Sequence, residues 1–222
     1  MTSVSPSYEE WIEFCFKDGY AWFNGKREVN PKFEIDNPVL VTEYLTRLFE
    51  NPAFIAQRYD RHEIAEAIWF IFGVGSGYCS DMREPMVPPE KQIKCIHTVG
   101  IFYQNLLDKI CNRDGTMADV DVTNTDDVDK AVYMIWDMDG LECGAMERKY
   151  AYLASPILSV LDSILSLRTS TCLKSALHGL GHIASCHPEN VSRIVNDFLH
   201  KQNDSPEWLR QYARQARKGV IQ

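Results

Sequence analysis

Long hydrophobic runs and alternating apolar and polar residues are both nearly absent from this 222-residue sequence. The longest apolar run covers the seven residues 68–74, whereas a helix that spans a bilayer needs about 20. The first ten residues include Glu9 and Glu10 and lack the basic and apolar segments of a signal peptide. We therefore expect neither a membrane span nor a secretion signal, and the missing alternation argues against a β-sheet protein.

Closely spaced cysteine pairs are also missing. The chain has seven cysteines, an odd number, and no two of them form a C-x-x-C pair. Most of them lie among apolar residues, where a free thiol behaves as a small hydrophobic group. Because disulfides form in oxidising compartments, this usage predicts reduced thiols and a cytoplasmic protein.

Complete catalytic and cofactor-binding motifs are absent as well. The glycine-rich residues 73–77 follow a predicted helix and lack the Lys-Ser/Thr pair of a phosphate-binding loop. Asp119 and Asp121 resemble the start of a calcium loop, but Asn124 and Lys130 stand where that loop needs glycine and glutamate. The sequence therefore predicts no catalytic residues, no cofactor and no enzymatic activity.

What the sequence does contain is helical periodicity along almost its whole length. Apolar residues recur three and four positions apart, most clearly at Ile93, Ile96, Val99, Tyr103, Leu106, Leu107 and Ile110. This pattern predicts one all-α domain of about nine helices over residues 1–222. We divide it into N-terminal helices (1–112), an acidic connection with one helix (113–147) and C-terminal repeat helices (148–222).

The C-terminal helices come at a regular interval. Predicted helices begin near residues 171, 188 and 206, so that a helix pair recurs about every 35 residues. Such a repeat is typical of stacked helical hairpins that form an α-solenoid. An irregular helical bundle, whose helices come at a similar spacing, is the alternative.

Several segments of the C-terminal half carry a resemblance to known proteins. They are residues 175–182 (SALHGLGH), 187–189 (HPE), 194–199 (IVNDFL), 212–219 (YARQARKG) and, upstream, 134–138 (MIWDM). Together they resemble a group of uncharacterised bacterial proteins built from HEAT-like helical repeats, over about residues 130–222. The resemblance implies that the C-terminal half stacks as HEAT-like hairpins. Some helical-repeat proteins of this size are immunity proteins, which is an analogy of architecture alone.

The charge is concentrated in the middle of the chain. Residues 113–147 carry ten acidic and two basic residues, a net charge equal to the −8 of the whole chain. A dense anionic surface is typical of a docking site for a basic partner, although a solvated face with helix caps is the plainer interpretation. The candidate partner-binding residues are Asp119, Asp121, Asp126, Asp127, Asp129, Asp137, Asp139 and Glu142.

These observations predict a non-catalytic module that binds another protein. Its sharper form is a bacterial immunity protein that neutralises a basic toxin domain. Two alternatives belong to other functional classes: a metal-dependent enzyme that uses His178 and His182, and a nucleic-acid-binding repeat protein.

His178 and His182 are four residues apart, so that on a helix they share one face and are able to bind one metal ion. A zinc hydrolase of the H-E-x-x-H type needs glutamate where this chain has Gly179. Cys186 is a further candidate ligand. The plainer interpretation is packing, in which Gly179 and Gly181 allow close approach of a neighbouring helix and the histidines hydrogen-bond beside them.

Nucleic-acid binding would use a basic stripe on the last helix. Arg210, Arg214, Arg217 and Lys218 follow helical spacing and could contact a row of phosphates. The net charge of −8 and the tendency of helices to end in cations weigh against this alternative.

Overall fold

The computed structural model describes residues 5–28, 31–112, 126–138, 140–202 and 204–221. Within these ranges every regular element is helical and no β-strand occurs, which confirms the all-α prediction. No helix of the described residues has both the length and the apolar character needed to cross a membrane.

Nine α-helices of eight or more residues occur in the described ranges. They are α1 (Tyr8–Lys17), α2 (Pro38–Glu50), α3 (Arg61–Phe72), α4 (Pro89–Phe102), α5 (Asp127–Met134), α6 (Ala154–Ile164), α7 (Ser170–Ile183), α8 (Pro188–Lys201) and α9 (Glu207–Ala216). A π-helical turn (Tyr103–Leu107) and a last α-turn (Asp108–Ile110) continue α4. Short α-helical turns lie at Gly19–Phe23, Ile55–Arg58, Tyr78–Asp81 and Cys143–Met146, and 3₁₀ turns at Pro31–Phe33, Pro52–Phe54 and Arg148–Leu153.

Local sequence signals set the beginnings of these helices. Ser7 caps α1 and forms a reciprocal capping box with Glu10, and Asp60 and Glu63 do the same for α3. Proline occupies the first turn of α2, α4 and α8, where its missing N–H costs nothing. Each cap satisfies backbone N–H groups that the helix itself leaves without partners.

Helix α7 is the centre of the C-terminal half. It is buried along nearly its entire length and packs against α5, α6, α8 and α9. The N-terminal helices join the same core, since α4 packs against α2 and α6, and α3 packs against α5. One hydrophobic cluster accordingly extends from Tyr8 in α1 to Ala216 in α9.

The HEAT-like stacking of the C-terminal half stays a prediction. Contacts of α7 with both α8 and α9 resemble those between neighbouring repeat helices, but α7 also packs against α5. All seven cysteines are free, and five of them are buried. Cys186 is exposed.

Glycines bring two segments close to α7. A Cβ atom on Gly179 would lie 2.9 Å from Cγ of Trp136 and 3.0 Å from Cδ2 of Leu161. A Cβ atom on Gly181 would lie 2.7 Å from the side chain of Ile221. Both glycines are therefore packing positions, as expected from the sequence. The indole of Trp136 lies directly on α7, in the space that the missing side chain leaves.

We expect Gly179→Ala to lower the free energy of unfolding by about 1–3 kcal/mol, because the added methyl group overpacks against the buried ring of Trp136. Gly100→Ala in α4 is a matched control. The atom nearest to its new Cβ is the rotatable Oγ of Ser163 at 3.3 Å. We therefore expect the free energy of unfolding of this variant to lie within about 1 kcal/mol of that of the native protein. Urea unfolding measures both. Equal losses in the two variants would contradict a specific contact at Gly179.

Candidate metal centre

Asp137, His178 and His182 form a group of potential metal ligands on two neighbouring elements. Asp137 lies in the turn that follows α5, and the two histidines lie one turn apart on α7. One ligand atom from each residue can be chosen so that all three lie within 4.8 Å of one another. The three side chains therefore converge on a volume of the size that a single ion occupies.

Both imidazole nitrogens lie at ion-pair distance from the Asp137 carboxylate. Nε2 of His182 lies 3.0 Å from Oδ1 of Asp137, and Nε2 of His178 lies 3.5 Å from Oδ2. Neither Nε2 atom has a hydrogen-bond partner among the described residues. Ligands bonded at about 2.1 Å to a tetrahedral ion stand about 3.4 Å apart, so these separations fit ligands of one metal.

The local sequence explains why these residues meet. The spacing of four places both imidazoles on one face of α7, and Gly179 between them has no side chain. Trp136 packs against Gly179, which brings the next residue, Asp137, beside the histidines. Two of the segments that carry the HEAT-like resemblance, 134–138 and 175–182, thus come together at this point.

His178 is the buried anchor of the group. Its residue is 4% exposed, whereas the side chains of His182 and Asp137 are 30% and 36% exposed. Burial, followed by the neighbouring His182, lowers the pKa of His178 to about 4, although Asp137 acts in the opposite direction. The imidazole is therefore neutral near pH 7, the form that binds metals.

Two tyrosine hydroxyls contact the other nitrogen of His178. The Oη atom of Tyr212 lies 2.6 Å from Nδ1, and the Oη atom of Tyr133 lies 3.1 Å from it. The two hydroxyl oxygens are 3.2 Å apart, which closes a triangle of hydrogen-bonding atoms. Burial raises the pKa of both tyrosines, so both hydroxyls keep their protons near pH 7.

A buried cation lies behind this triangle. Lys174 stands one turn before His178 on α7, and its Nζ lies 4.7 Å from the ring centre of Tyr133 and 5.1 Å from that of Tyr212. Trp208 contributes a third ring at 5.9 Å. Cation–π attraction between the lysine side chain and these rings holds the rings in place.

The donor set limits the ions that would fit. Two imidazole nitrogens and one carboxylate oxygen suit Zn²⁺, Fe²⁺ and related first-row ions, whereas Ca²⁺ and Mg²⁺ prefer an all-oxygen shell. Three protein ligands leave at least one coordination position open, because even tetrahedral zinc takes four.

The other residues considered as ligands lie outside this group. Cys186 is exposed, and its Sγ is near the hydroxyl of Ser185. His187 is held by the carbonyl oxygen of Ala145, 2.6 Å from its Nε2. The group that converges is completed by Asp137 and not by Cys186, whose part in a metal site stays a prediction.

The predicted acidic surface is divided by the fold. Asp127 is exposed, and Asp126 caps α5 and forms a two-pronged ion pair with Arg61, at 2.6 and 3.1 Å. Asp137 belongs to the ligand group, and Asp119, Asp121 and Asp139 lie outside the described residues.

Two residues of that set, Asp129 and Glu142, are buried, so the prediction that they bind a partner is wrong. Asp129 has no exposed surface; it accepts hydrogen bonds from the backbone and side-chain amides of Asn112 and from the hydroxyl of Thr171. Burial raises the pKa of Asp129, although these hydrogen bonds oppose the shift. Glu142 is likewise buried. Neither carboxylate is able to contact a docking partner, because packing covers both.

The basic stripe is used within the fold. Arg210 donates to the carbonyl oxygens of Leu199 and Gln202, and Arg217 donates to Oδ1 of Asn196. Arg214 pairs with Glu207 at 2.8 Å. These arginines connect α9 to α8 and to its own first turn. Fewer of their N–H groups are therefore available to bind phosphates.

Sequence reasoning did not find the partners of the histidine pair. It placed Asp137 on the acidic surface and left Tyr133, Lys174 and Tyr212 out of any site. One signal was present, since Lys174, His178 and His182 repeat every four residues on α7. No sequence spacing indicated that Tyr133 of α5 and Tyr212 of α9 would lie beside the histidine pair.

Comparison with protein-family models, curated proteins and solved structures finds no match to this chain.

We expect Asp129→Ala to lower the free energy of unfolding by about 2–3 kcal/mol, because it leaves the buried hydroxyl of Thr171 without an acceptor and removes the hydrogen bonds to Asn112. Asp127→Ala is the matched control two residues away. Its carboxylate is 66% exposed, and we expect a loss of less than about 1 kcal/mol. Thermal and urea unfolding measure the difference. Similar small losses would show that the hydrogen bonds of Asp129 contribute little.

Proposed function

We propose that this protein binds one divalent first-row transition metal ion through Asp137, His178 and His182. The observation that carries the proposal is the convergence of Nε2 of His178, Nε2 of His182 and the Asp137 carboxylate, in which both nitrogens lie within 3.5 Å of the carboxylate and neither meets hydrogen-bond geometry with any described residue. A buried polar atom without a partner is uncommon in folded proteins and needs an explanation. A metal ion supplies one for both nitrogens.

The coordination number favours a reactive metal over a structural one. Structural zinc sites use four protein ligands, whereas catalytic zinc and non-haem iron sites use three and keep positions for water or substrate. An ion in such a site acts as a Lewis acid or activates a bound water molecule. We therefore propose metal-dependent chemistry on a small ligand, in place of the non-catalytic role expected from the sequence.

The protein-binding module and the immunity role stay predictions. What supported them was an acidic surface, and the described acidic residues are divided among an exposed position, an ion pair, the interior and the ligand group. No observation favours one macromolecular partner.

We expect the reduced native protein to bind one equivalent of Zn²⁺. Asp137→Asn and His182→Gln should each weaken binding by more than about 100-fold, because the loss of a ligand costs more than the 10- to 100-fold of an outer-shell change. The measurement is isothermal titration calorimetry with a chelator competing for the metal. Far-UV circular dichroism establishes that each variant is folded.

Two control variants separate this site from other zinc-binding groups. Cys186→Ser removes the exposed thiol, and His200→Ala removes a histidine of α8 whose Nδ1 lies near the carbonyl oxygen of Asn196. Both should keep the native affinity. Unchanged affinity in Asp137→Asn and His182→Gln, or no stoichiometric binding by the native protein, would refute the metal centre.

A further inference from the structure

We infer that Tyr212 is a positioning residue that holds His178 with its proton on Nδ1, so that the lone pair of Nε2 faces the Asp137 carboxylate. The ion at that place rests on the function proposed above. The position of the proton, however, is a property of the protein before any metal binds. The inference can therefore be tested separately.

The hydroxyl of Tyr212 is the nearest acceptor for a proton on Nδ1. At 2.6 Å its oxygen is nearer to Nδ1 than the oxygen of Tyr133, which lies at 3.1 Å. A tyrosine hydroxyl oxygen accepts as well as donates, so Tyr212 is able to receive both the Nδ1–H group and the hydroxyl proton of Tyr133, 3.2 Å away. This arrangement uses all three contacts of the triangle.

The opposite tautomer would leave a buried N–H group unsatisfied. A proton on Nε2 would point to a place where no acceptor meets hydrogen-bond geometry, since Oδ2 of Asp137 is 3.5 Å away and Nε2 has no partner. Buried N–H groups without acceptors are disfavoured. The Asp137 charge favours a proton on Nε2, whereas hydrogen-bond geometry favours one on Nδ1, where two hydroxyl oxygens lie within 3.1 Å. We take the hydrogen bond at 2.6 Å to be the decisive contact.

Tyr212 is itself fixed by its surroundings. Its ring lies parallel to the imidazole of His178, with 9° between the planes, and the Lys174 ammonium group lies over its face. The ring comes from α9, whereas Tyr133 comes from α5 and His178 from α7. Three helices therefore set the orientation of one metal ligand before the ion arrives, and such outer contacts tune affinity in metalloproteins.

The tautomer of His178 can be read by nuclear magnetic resonance. We would record two-bond ¹H–¹⁵N correlations of ¹⁵N-histidine-labelled, metal-free protein at pH 7.5, and assign His178 by the loss of its signals in His178→Gln. The native protein should show the Nδ1–H pattern. Tyr212→Phe should increase the Nε2–H population, and the double variant Tyr133→Phe/Tyr212→Phe should increase it further because no hydroxyl acceptor remains.

Zinc affinity is the second readout. Tyr212→Phe should weaken Zn²⁺ binding by about 10- to 100-fold, the range expected for loss of an outer-shell partner of a ligating histidine. Tyr133→Phe is the matched control, since it removes the longer contact and leaves Tyr212 in place; we expect less than about a 5-fold loss. Both substitutions keep the rings that pack against Lys174.

The outcomes separate the two proposals. An Nδ1–H signal that depends on Tyr212, in a protein that binds no Zn²⁺, would support the positioning role and refute the metal centre. An Nε2–H signal in the native protein would overturn the positioning role, whatever the zinc affinity. Tyr212→Phe with native tautomer and native affinity would overturn it as well.

Discussion

The contact between Gly179 and Trp136 holds the segment after α5 against the central helix. With a hydrogen atom in place of a side chain, Gly179 leaves room for an indole directly on α7, where a Cβ atom would come within 2.9 Å of the ring. Asp137 follows Trp136 in the chain and reaches the histidines only from that position. The ligand group, the burial of His178 and the union of α5 with α7 all depend on this close approach.

Helix α7 combines two roles that usually occupy different elements. Its buried apolar side chains form much of the C-terminal core, yet one of its faces also carries Lys174, His178 and His182. Burying such groups is costly unless each finds a partner. Aromatic rings surround the lysine, and tyrosine hydroxyls contact Nδ1 of His178, whereas the two Nε2 atoms have no hydrogen bond within the part of the chain that the structure describes. In the proposed function an ion would bind at these two atoms.

Prediction from the sequence succeeded where local periodicity decides the outcome. The 3.6-residue repeat of apolar side chains specifies helices, and the spacing of His178 and His182 specifies a shared face. It failed for the acidic residues, because charge in a sequence does not reveal which carboxylate is covered. Asp129 is buried by packing and accepts hydrogen bonds from Asn112 and Thr171, whereas Asp127, two positions earlier, is exposed.

By itself the sequence determined an all-α chain with free thiols and a histidine pair on one helix face. These properties follow from neighbours within a few residues, which interact through the backbone geometry of a helix. Only the tertiary structure decided which groups face that pair. Asp137 lies 41 positions before His178 and Tyr212 lies 34 positions after it, and packing across α5, α7 and α9 brings them within hydrogen-bonding or ligand distance. No local pattern encodes such contacts, because they depend on how whole helices fit together.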